Sequence, residues 1–391
     1  MYFQTLDDKS ECIGVYTGGE LHFESVPSNL TRTWKYTGSI RDPKVEYAWL
    51  YANGASLSDV CPPELRDGLK KAQKIFLAHV RAFELARVNL REHCFYDLIP
   101  KTFLMEFCEI RNKITKHVFE NYEKPENYDL LVDVHKLIHK ILYQDLNLDK
   151  EDCWNLFHHT LDRRKFKELL KGPKYIQYNL FGAVTGRLTT DPGSFPILTL
   201  KRDFRKLIKP NNDWFVSLDH NGAEVRAFLQ LAGFKQPAGD VHEWNIKNLF
   251  NGNVDRDTAK TLFFKWLYNP ESNAIRTVHY DRKKVVEKWH ENGHIVTPYK
   301  RQIKVDARRA LSYLAQSTAS DRVLSRAVEI DKVLNGRSSY ISHIVHDEIV
   351  LDFCESDKDI LPQIKDIFET DGFKSNFKAG KNYLELEELK I

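Results

Sequence analysis

The stretch SHIVHDEIVLDF, residues 342–353, places three polar side chains between two apolar, β-branched runs. Short apolar runs separated by a polar turn are typical of a buried β-hairpin. Taken alone, His346, Asp347 and Glu348 would form a solvated turn, and most such turns perform no chemistry. A catalytic interpretation therefore requires a partner for Asp347 elsewhere in the chain.

Asp219 is the candidate partner, because it ends a second apolar run, DWFVSLD at 213–219, which also predicts a strand. Two carboxylates at strand ends of one sheet can converge on a point. Mg²⁺ binds one or two protein carboxylates, while substrate phosphates and water fill its other positions. A pair of such ions would activate an attacking hydroxyl and stabilise a leaving pyrophosphate. The alternative is that both aspartates simply terminate their strands.

The segment RDTAKTLFFKWLY, residues 256–268, predicts a helix on which Arg256, Lys260, Phe264 and Tyr268 recur every four residues. Such positions form a slowly winding stripe along one side of a helix. Two cations followed by two aromatic rings fit a nucleotide, with charge for the triphosphate and rings for the base. The alternative is an ordinary amphipathic helix with solvated cations and packed rings.

The composition is that of a folded protein, with 391 residues of which 42% are hydrophobic and 12% aromatic. This length predicts more than one subdomain. The first residues lack the apolar run of a signal peptide and no segment is long enough to span a bilayer, so we expect a soluble, intracellular protein without a membrane partner. Six cysteines without a C-x-x-C pair indicate neither a zinc site nor a disulfide framework.

The net charge is only +3, but basic residues cluster in three segments. Such clusters are usually solvated faces, although their number here agrees with a track for a phosphate backbone. The segments are RRKFKELLKGPK at 163–174, KRDFRKLIK at 201–209 and KRQIKVDARR at 300–309.

The order of predicted elements indicates an α+β protein. Residues 1–60 read as short strands, with a Gly-Gly hairpin signal at 18–19, and residues 61–170 read as helices with basic faces. Strands and helices alternate after that, including a helix over 223–233 and a long amphipathic helix over 307–334.

Four motifs follow one another along the chain: TGRLTTDP at 185–192, DHNGAEVR at 219–226, RDTAKTLFFKWLY at 256–268 and VHDE at 345–348. They are supported by DVHEW at 240–244 and AQSTASD at 315–321. Together and in this order they resemble the polymerase module of family A DNA polymerases, the group of bacterial DNA polymerase I and related phage replicases. The resemblance covers the chain from about residue 174 to its last residue. It implies a right-hand polymerase fold with a palm of antiparallel sheet plus helices, helical fingers and a helical thumb.

This resemblance divides the chain into segments. Residues 61–170 occupy the position of the thumb, 171–235 the first part of the palm, 236–300 shortened fingers and 301–391 the second part of the palm. The role of residues 1–60 is left open between a vestige and a docking element.

The resemblance also implies roles for single residues. Asp219, Asp347 and Glu348 would form the catalytic set, and two Mg²⁺ ions, with Mn²⁺ as a substitute, would be held by Asp219, Asp347 and the backbone carbonyl of His220. Glu224 matches the sugar gate that favours deoxynucleotides. The residues expected to bind the incoming nucleotide are His242, Arg256, Lys260, Phe264, Tyr268 and Glu224. Those expected to contact DNA are Arg187, Gln316, His346, Arg226, Lys201, Arg205 and Arg301.

The motif DHNGAE departs from the family pattern D-[YF]-S-x-[IL]-E. His220 stands at the aromatic position, Asn221 replaces serine, and Gly222 makes the segment beside the gate smaller. The glycine that usually follows the last tyrosine of the helix motif is Asn269. These changes bear on nucleotide selectivity and processivity more than on catalysis.

We therefore expect a DNA-templated DNA polymerase that extends a primer 3′-hydroxyl with dNTPs by two-metal-ion phosphoryl transfer and releases pyrophosphate. One alternative is an enzyme like single-subunit RNA polymerases, which share the two aspartates; Glu224 and Glu348 argue against it. The other is an inactive module that only binds primer-template, against which the presence of both aspartates argues.

Proofreading is not expected, because the acidic run LDDKSE at 6–11 does not match the D-x-E strand motif of a 3′–5′ exonuclease. The expected partners are primer-template DNA, dNTPs and replication accessory proteins. We expect a monomer that acts in the cytoplasm of a bacterial host as a phage or mobile-element protein.

Overall fold

The computed structural model describes residues 1–5, 14–23, 25–40, 44–90, 93, 98–150, 160–272, 274–275 and 277–391. Within these ranges the chain forms two compact units, Met1–His139 and Lys140–Ile391. The acidic run at 6–11 lies outside the described residues. The finer division into thumb, palm and fingers remains a prediction.

Short strands and long helices make up the first unit. Gly18 and Gly19 connect two strands with positive φ values of 60° and 89°, so the predicted hairpin is confirmed. The strands are β1 (Gln4–Thr5), β2 (Val15–Thr17), β3 (Glu20–His22), β4 (Arg32–Thr33) and β5 (Glu46–Tyr47). The helices that follow are α1 (Ala48–Tyr51), α2 (Arg66–Leu85), α3 (Lys101–Asn121) and α4 (Tyr128–Leu142), of which the last three residues belong to the second unit.

The second unit is built around a five-stranded antiparallel sheet of order β14-β15-β10-β16-β17. Its strands are β6 (Asn147–Leu148), β7 (Tyr178–Asn179), β8 (Thr189–Thr190), β9 (Ile208–Lys209), β10 (Trp214–His220), β11 (His290–Glu291), β12 (His294–Val296), β13 (Gln302–Lys304), β14 (Tyr340–Val345), β15 (Glu348–Phe353), β16 (Ser375–Gly380) and β17 (Glu387–Glu388). Its helices are α5 (Thr160–Lys171), α6 (Ala223–Leu231), α7 (Val241–Leu249), α8 (Arg256–Tyr268), α9 (Arg282–Trp289), α10 (Ala307–Leu334) and α11 (Leu361–Phe368). The predicted strand before residue 220, the helices α6, α8 and α10, and the hairpin β14–β15 are all confirmed.

The register of the sheet brings the two predicted carboxylates together. Asp219 of β10 pairs with Glu348 of β15, and Val345 pairs with Glu348 across the hairpin. His346 and Asp347 are therefore the two turn residues, and Asp347 adjoins the end of β10. His346 has a φ of 56°, as the first central residue of a type II′ hairpin turn requires. The turn is one residue shorter than predicted, since Glu348 already begins β15.

Small side chains let the long helix α10 lie close to α6 behind the sheet. Ala223 and Ala227 of α6 form a buried cluster with Ala319 of α10. On α8, Phe263 and Trp266 are buried in the apolar core of the unit. Because these core positions occupy one side of α8, the side that carries Arg256 and Lys260 remains exposed.

Among the described residues, no helix combines the length and the apolar content that crossing a bilayer requires.

One buried ion pair provides a test of this fold. Arg301 donates from Nε and Nη2 to Asp321 on α10 at 2.6–3.0 Å, and both side chains are buried. We expect Arg301→Ala to lower the free energy of unfolding by about 3–5 kcal/mol, because a buried carboxylate loses its partner. The matched control is Arg308→Ala, which removes an exposed pair with Glu271 and should cost less than about 1 kcal/mol. Urea unfolding followed by circular dichroism measures both; equal losses would contradict the assigned role of Arg301.

Candidate active site

A cavity of about 410 Å³ lies where β10, the β14–β15 turn and the exposed side of α8 meet. Side chains from all four motifs contribute to its wall. The lining residues are Arg187, Asp219, His220, Asn221, Gly222, Ala223, Glu224, His242, Arg256, Lys260, Phe264, His346, Asp347 and Asn376.

The carboxylates at the floor of this cavity repel one another. Burial, followed by the nearby charges of Asp347 and Glu348, raises the pKa of Asp219 to about 7, although Lys378 and Lys260 oppose the shift. The described residues contain no group of three or more His, Cys, Asp or Glu side chains arranged to hold a metal ion. Two convergent carboxylates are nevertheless a donor set that fits Mg²⁺, whose remaining ligands come from phosphates and water.

Glu348 is held inside the fold. Its Oε1 accepts a hydrogen bond from Ser217 Oγ at 2.5 Å, and its Oε2 accepts one from Tyr383 Oη at 2.7 Å. Both oxygens are thus engaged, whereas Asp347 lines the cavity. Glu348 acts on the site through its charge beside Asp219.

His220 contributes little of its side chain to the cavity. The imidazole stacks on Phe368 with ring centroids 3.9 Å apart and planes 1° apart, and it is 2% exposed. Burial, with the charges of nearby arginines, lowers its pKa well below the usual value. A ligand role through the backbone carbonyl, as the resemblance implies, agrees with this placement.

The predicted sugar gate is fixed from two sides. Glu224 forms an ion pair with Arg187 through one oxygen and accepts a hydrogen bond from Tyr268 Oη through the other. Gln316 Nε2 donates to the same tyrosine oxygen at 3.1 Å. Burial and Glu224 together raise the pKa of Tyr268 to about 12, so the phenol stays protonated and continues to donate. Four residues predicted from four separate motifs therefore form one hydrogen-bonded network.

Three of the four predicted stripe positions on α8 line the cavity. These are Arg256, Lys260 and Phe264. Tyr268 lies one turn further along, in parallel contact with Phe264 at 6.0 Å between ring centroids, and lines a neighbouring cavity of about 600 Å³. His242 also lines the first cavity; burial lowers its pKa to about 4, so it is neutral at pH 7.

The remaining residues predicted to contact DNA differ in exposure. Arg187, His346 and Gln316 lie in or beside the cavity network. Lys201 is exposed and pairs with Asp162 at 2.9 Å, and the guanidinium of Arg205 lies 4.7 Å from the ring centre of Tyr383. These residues keep the predicted role as a proposal.

Arg226 and Arg301 do not fit the DNA-contact prediction. Arg226 is 0% exposed and donates to the backbone carbonyls of Asn221, Pro237, Gly239 and Gly372. Arg301 is 7% exposed, and its guanidinium is bound to the buried Asp321. A guanidinium whose donors are used inside the fold is not available to a phosphate, so neither belongs to the proposed DNA-binding set.

Sequence reasoning assigned no role to Asp240. Its Oδ1 caps α7 by accepting from the backbone N–H groups of His242 and Glu243, at 2.8 and 3.0 Å. Its Oδ2 accepts from Arg256 Nη2 at 2.8 Å. The spacing D-x-x-E in DVHEW is a helix-start signal that could have located the cap, but the pairing with Arg256 has no local signal.

No protein-family model matches the chain. In sequence, the chain is 26% identical to a DNA polymerase of Mycobacterium phage D29, in an alignment that covers 36% of this chain and 31% of the phage protein. In structure, it matches the POL domain of Pol1 from M. smegmatis, solved in complex with DNA primer-template and dNTP. The TM-score is 0.55 at 12% identity, and the match covers 72% of this chain and 76% of that domain.

The structural match shows that the fold is the right-hand polymerase fold. The mixture of a central antiparallel sheet and surrounding helices agrees with it, so the predicted fold class is confirmed. The sequence similarity to the phage DNA polymerase spans about a third of each protein and agrees with this fold.

Proposed function

We propose that this chain is a DNA-templated DNA polymerase that extends a primer 3′-hydroxyl with dNTPs and releases pyrophosphate. The observation that carries the proposal is that one cavity is lined by all of Asp219, Asp347, Glu224, Arg256 and Lys260. Carboxylates, a candidate sugar gate and two cations are the groups that transfer of a nucleotide requires. The related phage protein is named a DNA polymerase, and the matching Pol1 domain was solved with primer-template and dNTP.

Asp219, Asp347 and the backbone carbonyl of His220 would hold two Mg²⁺ ions, for which Mn²⁺ could substitute. Bound there, the ions would promote ionisation of the primer hydroxyl and neutralise charge on the transferred phosphoryl group. The raised pKa of Asp219 supports this assignment, because burial and then the charges of Asp347 and Glu348 disfavour its ionised form, which a bound cation would stabilise. Glu348, engaged by Ser217 and Tyr383, would keep β15 in register beside Asp219.

The incoming nucleotide would lie along α8. Arg256 and Lys260 would bind the triphosphate, His242 would donate or accept a hydrogen bond as a neutral imidazole, and Phe264 would stack on the base. Tyr268 would lie at the templating position. Catalysis would come from holding the 3′-hydroxyl and the α-phosphate in line, with charge neutralised around them.

Primer-template DNA would be contacted near the site by Arg187, Gln316 and His346. Minor-groove acceptors are similar for all base pairs, so such contacts are independent of sequence. Lys201 and Arg205 would contact the phosphate backbone. A thumb at 61–170, replication accessory proteins and a monomeric state are further parts of the proposal.

Glu224 separates this proposal from an RNA polymerase-like enzyme. The residue is 8% exposed and lines the cavity, and its carboxylate is held by Arg187 and Tyr268. A fixed carboxylate there would crowd a ribose 2′-hydroxyl, which favours deoxynucleotides. Both aspartates of the predicted metal site also line the cavity, which counts against an inactive module that only binds DNA.

The carboxylates provide the first test. We expect Asp219→Asn and Asp347→Asn each to lower the rate of primer extension by at least about a thousandfold, because metal binding supplies several kcal/mol of transition-state stabilisation. Chelation should abolish extension and Mg²⁺ or Mn²⁺ should restore it. The control is Asp359→Asn, at a surface carboxylate paired with Arg337. Extension at the wild-type rate by either site variant would refute the metal assignment.

The sugar gate provides the second test. We expect Glu224→Ala to reduce the preference for dNTPs over rNTPs by about ten- to hundredfold, the size of one steric contact in a substrate pocket. Tyr268→Phe removes the hydroxyl that donates to Glu224 and should give a smaller loss in the same direction. The control is Glu243→Ala, at an exposed position of α7. A wild-type enzyme that prefers rNTPs would instead support the RNA polymerase alternative.

We further propose that the chain does not proofread. A 5′-labelled primer with a mismatched 3′ end should keep its length when incubated with the protein and Mg²⁺ without nucleotides. A proofreading polymerase on the same substrate serves as the positive control. Shortening of the primer beyond that in a sample without protein would contradict this part of the proposal.

A further inference from the structure

Asn221 stands where the family pattern has serine, in the turn that follows Asp219, and it is buried. Its Nδ2 donates to Asp240 Oδ2 at 2.6 Å. Its Oδ1 accepts from the backbone N–H of Val241 at 2.8 Å and from Arg226 Nη2 at 3.4 Å. One donated and two accepted hydrogen bonds fix the orientation of the amide. A serine side chain is too short to make the same three contacts.

The two carboxylate oxygens of Asp240 have different partners, the start of α7 and the guanidinium of Arg256. Oδ1 caps α7, while Oδ2 accepts from Arg256 Nη2 at 2.8 Å, Arg256 Nε at 3.2 Å and Asn221. Partial burial acts to raise the pKa of Asp240, but the hydrogen bonds from Arg256, the backbone and Asn221 outweigh it and hold the pKa well below the usual range. Asp240 is therefore ionised throughout the neutral pH range.

Backbone packing sets the distance between the Asp219 turn and α7. Gly222 has a φ of 66°, and a Cβ built on it would lie 2.5 Å from Val241 Cγ1, so only glycine allows this approach. The buried Arg226 ties the same turn to the segment before α7 through the carbonyls of Asn221, at 2.7 Å, and Gly239, at 2.6 Å. Asn221 and Asp240 thus meet in a rigid environment, although Arg256 itself is exposed on α8.

We propose that Asn221 and Asp240 are positioning residues for Arg256, a role that rests on the function proposed above. Asp240 engages the Nε and Nη2 edge of the guanidinium, which leaves Nη1 to meet the triphosphate in the cavity. A free arginine side chain loses about 2 kcal/mol of conformational entropy when a ligand immobilises it. Anchoring before the nucleotide arrives removes part of that cost.

These contacts connect β10, which carries the proposed metal ligand Asp219, to α8, which carries the proposed triphosphate ligand Arg256. Asp219 lies two residues before Asn221, Asn221 orients Asp240, and Asp240 orients Arg256. The placement of the phosphates relative to the carboxylates is therefore set by the Asn221 amide. This explains why an asparagine occupies the serine position in this chain.

The test measures single-nucleotide extension by the full chain with Asn221→Ala and Asp240→Asn. Asparagine remains a good N-cap, so Asp240→Asn keeps the start of α7 through its side-chain oxygen. Its amide nitrogen replaces Oδ2, so the variant loses the charge and the acceptor that bind Arg256 and Asn221. Loss of a hydrogen bond to a charged group is worth about 1.5–3 kcal/mol, so we expect KM for dNTP to rise by about tenfold or more in each variant. The value of kcat should change by less than about threefold, as for a loss of binding common to ground and transition states.

A double-mutant cycle separates positioning from a general structural effect. In the Arg256→Ala background, neither Asn221→Ala nor Asp240→Asn should raise KM further, because both residues act through the arginine. The matched control is Asp281→Ala. Asp281 caps the start of α9, where its Oδ1 accepts a hydrogen bond from the backbone N–H of Lys284 at 3.1 Å, and the variant removes this cap. It should leave KM unchanged, and thermal unfolding checks that every variant folds.

Three results would overturn the proposal: unchanged KM in the single variants, a further rise in the Arg256→Ala background, or a lower KM for Asp240→Asn. The last would show that Asp240 competes with the triphosphate for Arg256. Calorimetric binding of inorganic triphosphate to the same variants measures the placement of Arg256 without polymerisation, and the same pattern is expected in Kd. Wild-type protein that binds triphosphate with this pattern but extends no primer would refute the proposed function and leave the positioning role supported.

Discussion

The register of β10 against β15 is the constraint on which the rest of the site depends. Pairing Asp219 with Glu348 places the hairpin turn, and therefore Asp347, beside the end of β10. A slip of one residue would send Asp219 to the opposite face of the sheet. Buried side chains on both strands, such as Leu218 and Ile349, oppose such a slip because it would disrupt their packing.

That register brings like charges together, which opposes folding unless other groups compensate. Ser217 and Tyr383 satisfy Glu348, while Lys260 and Lys378 partly offset the charge at Asp219. Burial, and then the charges of Asp347 and Glu348, still raise the pKa of Asp219. Natural sequences depart from locally optimal choices mainly at functional sites, and crowded carboxylates at a strand end are such a departure.

Arginine serves two purposes in this chain, and burial separates them. Arg187 and Arg256 lie at the cavity wall and remain partly exposed, whereas Arg226 and Arg301 are enclosed and bind carbonyls or a buried carboxylate. The first pair is available to a polyanion and the second pair holds the frame. Asp240 links the two groups of arginines. Arg226 donates to the carbonyl of Asn221, and the Asn221 side chain donates to Asp240, which is the partner of Arg256.

The sequence by itself determined the strand β10, the helices α6, α8 and α10, and the hairpins β2–β3 and β14–β15, because apolar periodicity and turn residues are local signals. It also determined most of the candidate site. The sequence motifs contain Asp219, Asp347, Glu224, Arg256 and Lys260, and all five residues line one cavity in the structure. Only the tertiary structure decided which arginines are exposed, that Glu348 belongs to the strand, and that Asn221 reaches Asp240. The physical reason is that burial and hydrogen-bond partners depend on residues distant in the chain, whereas propensity and periodicity depend on neighbours. The basic cluster KRQIKVDARR, for example, predicts an exposed segment, but in the structure its Arg301 is buried and pairs with the buried Asp321.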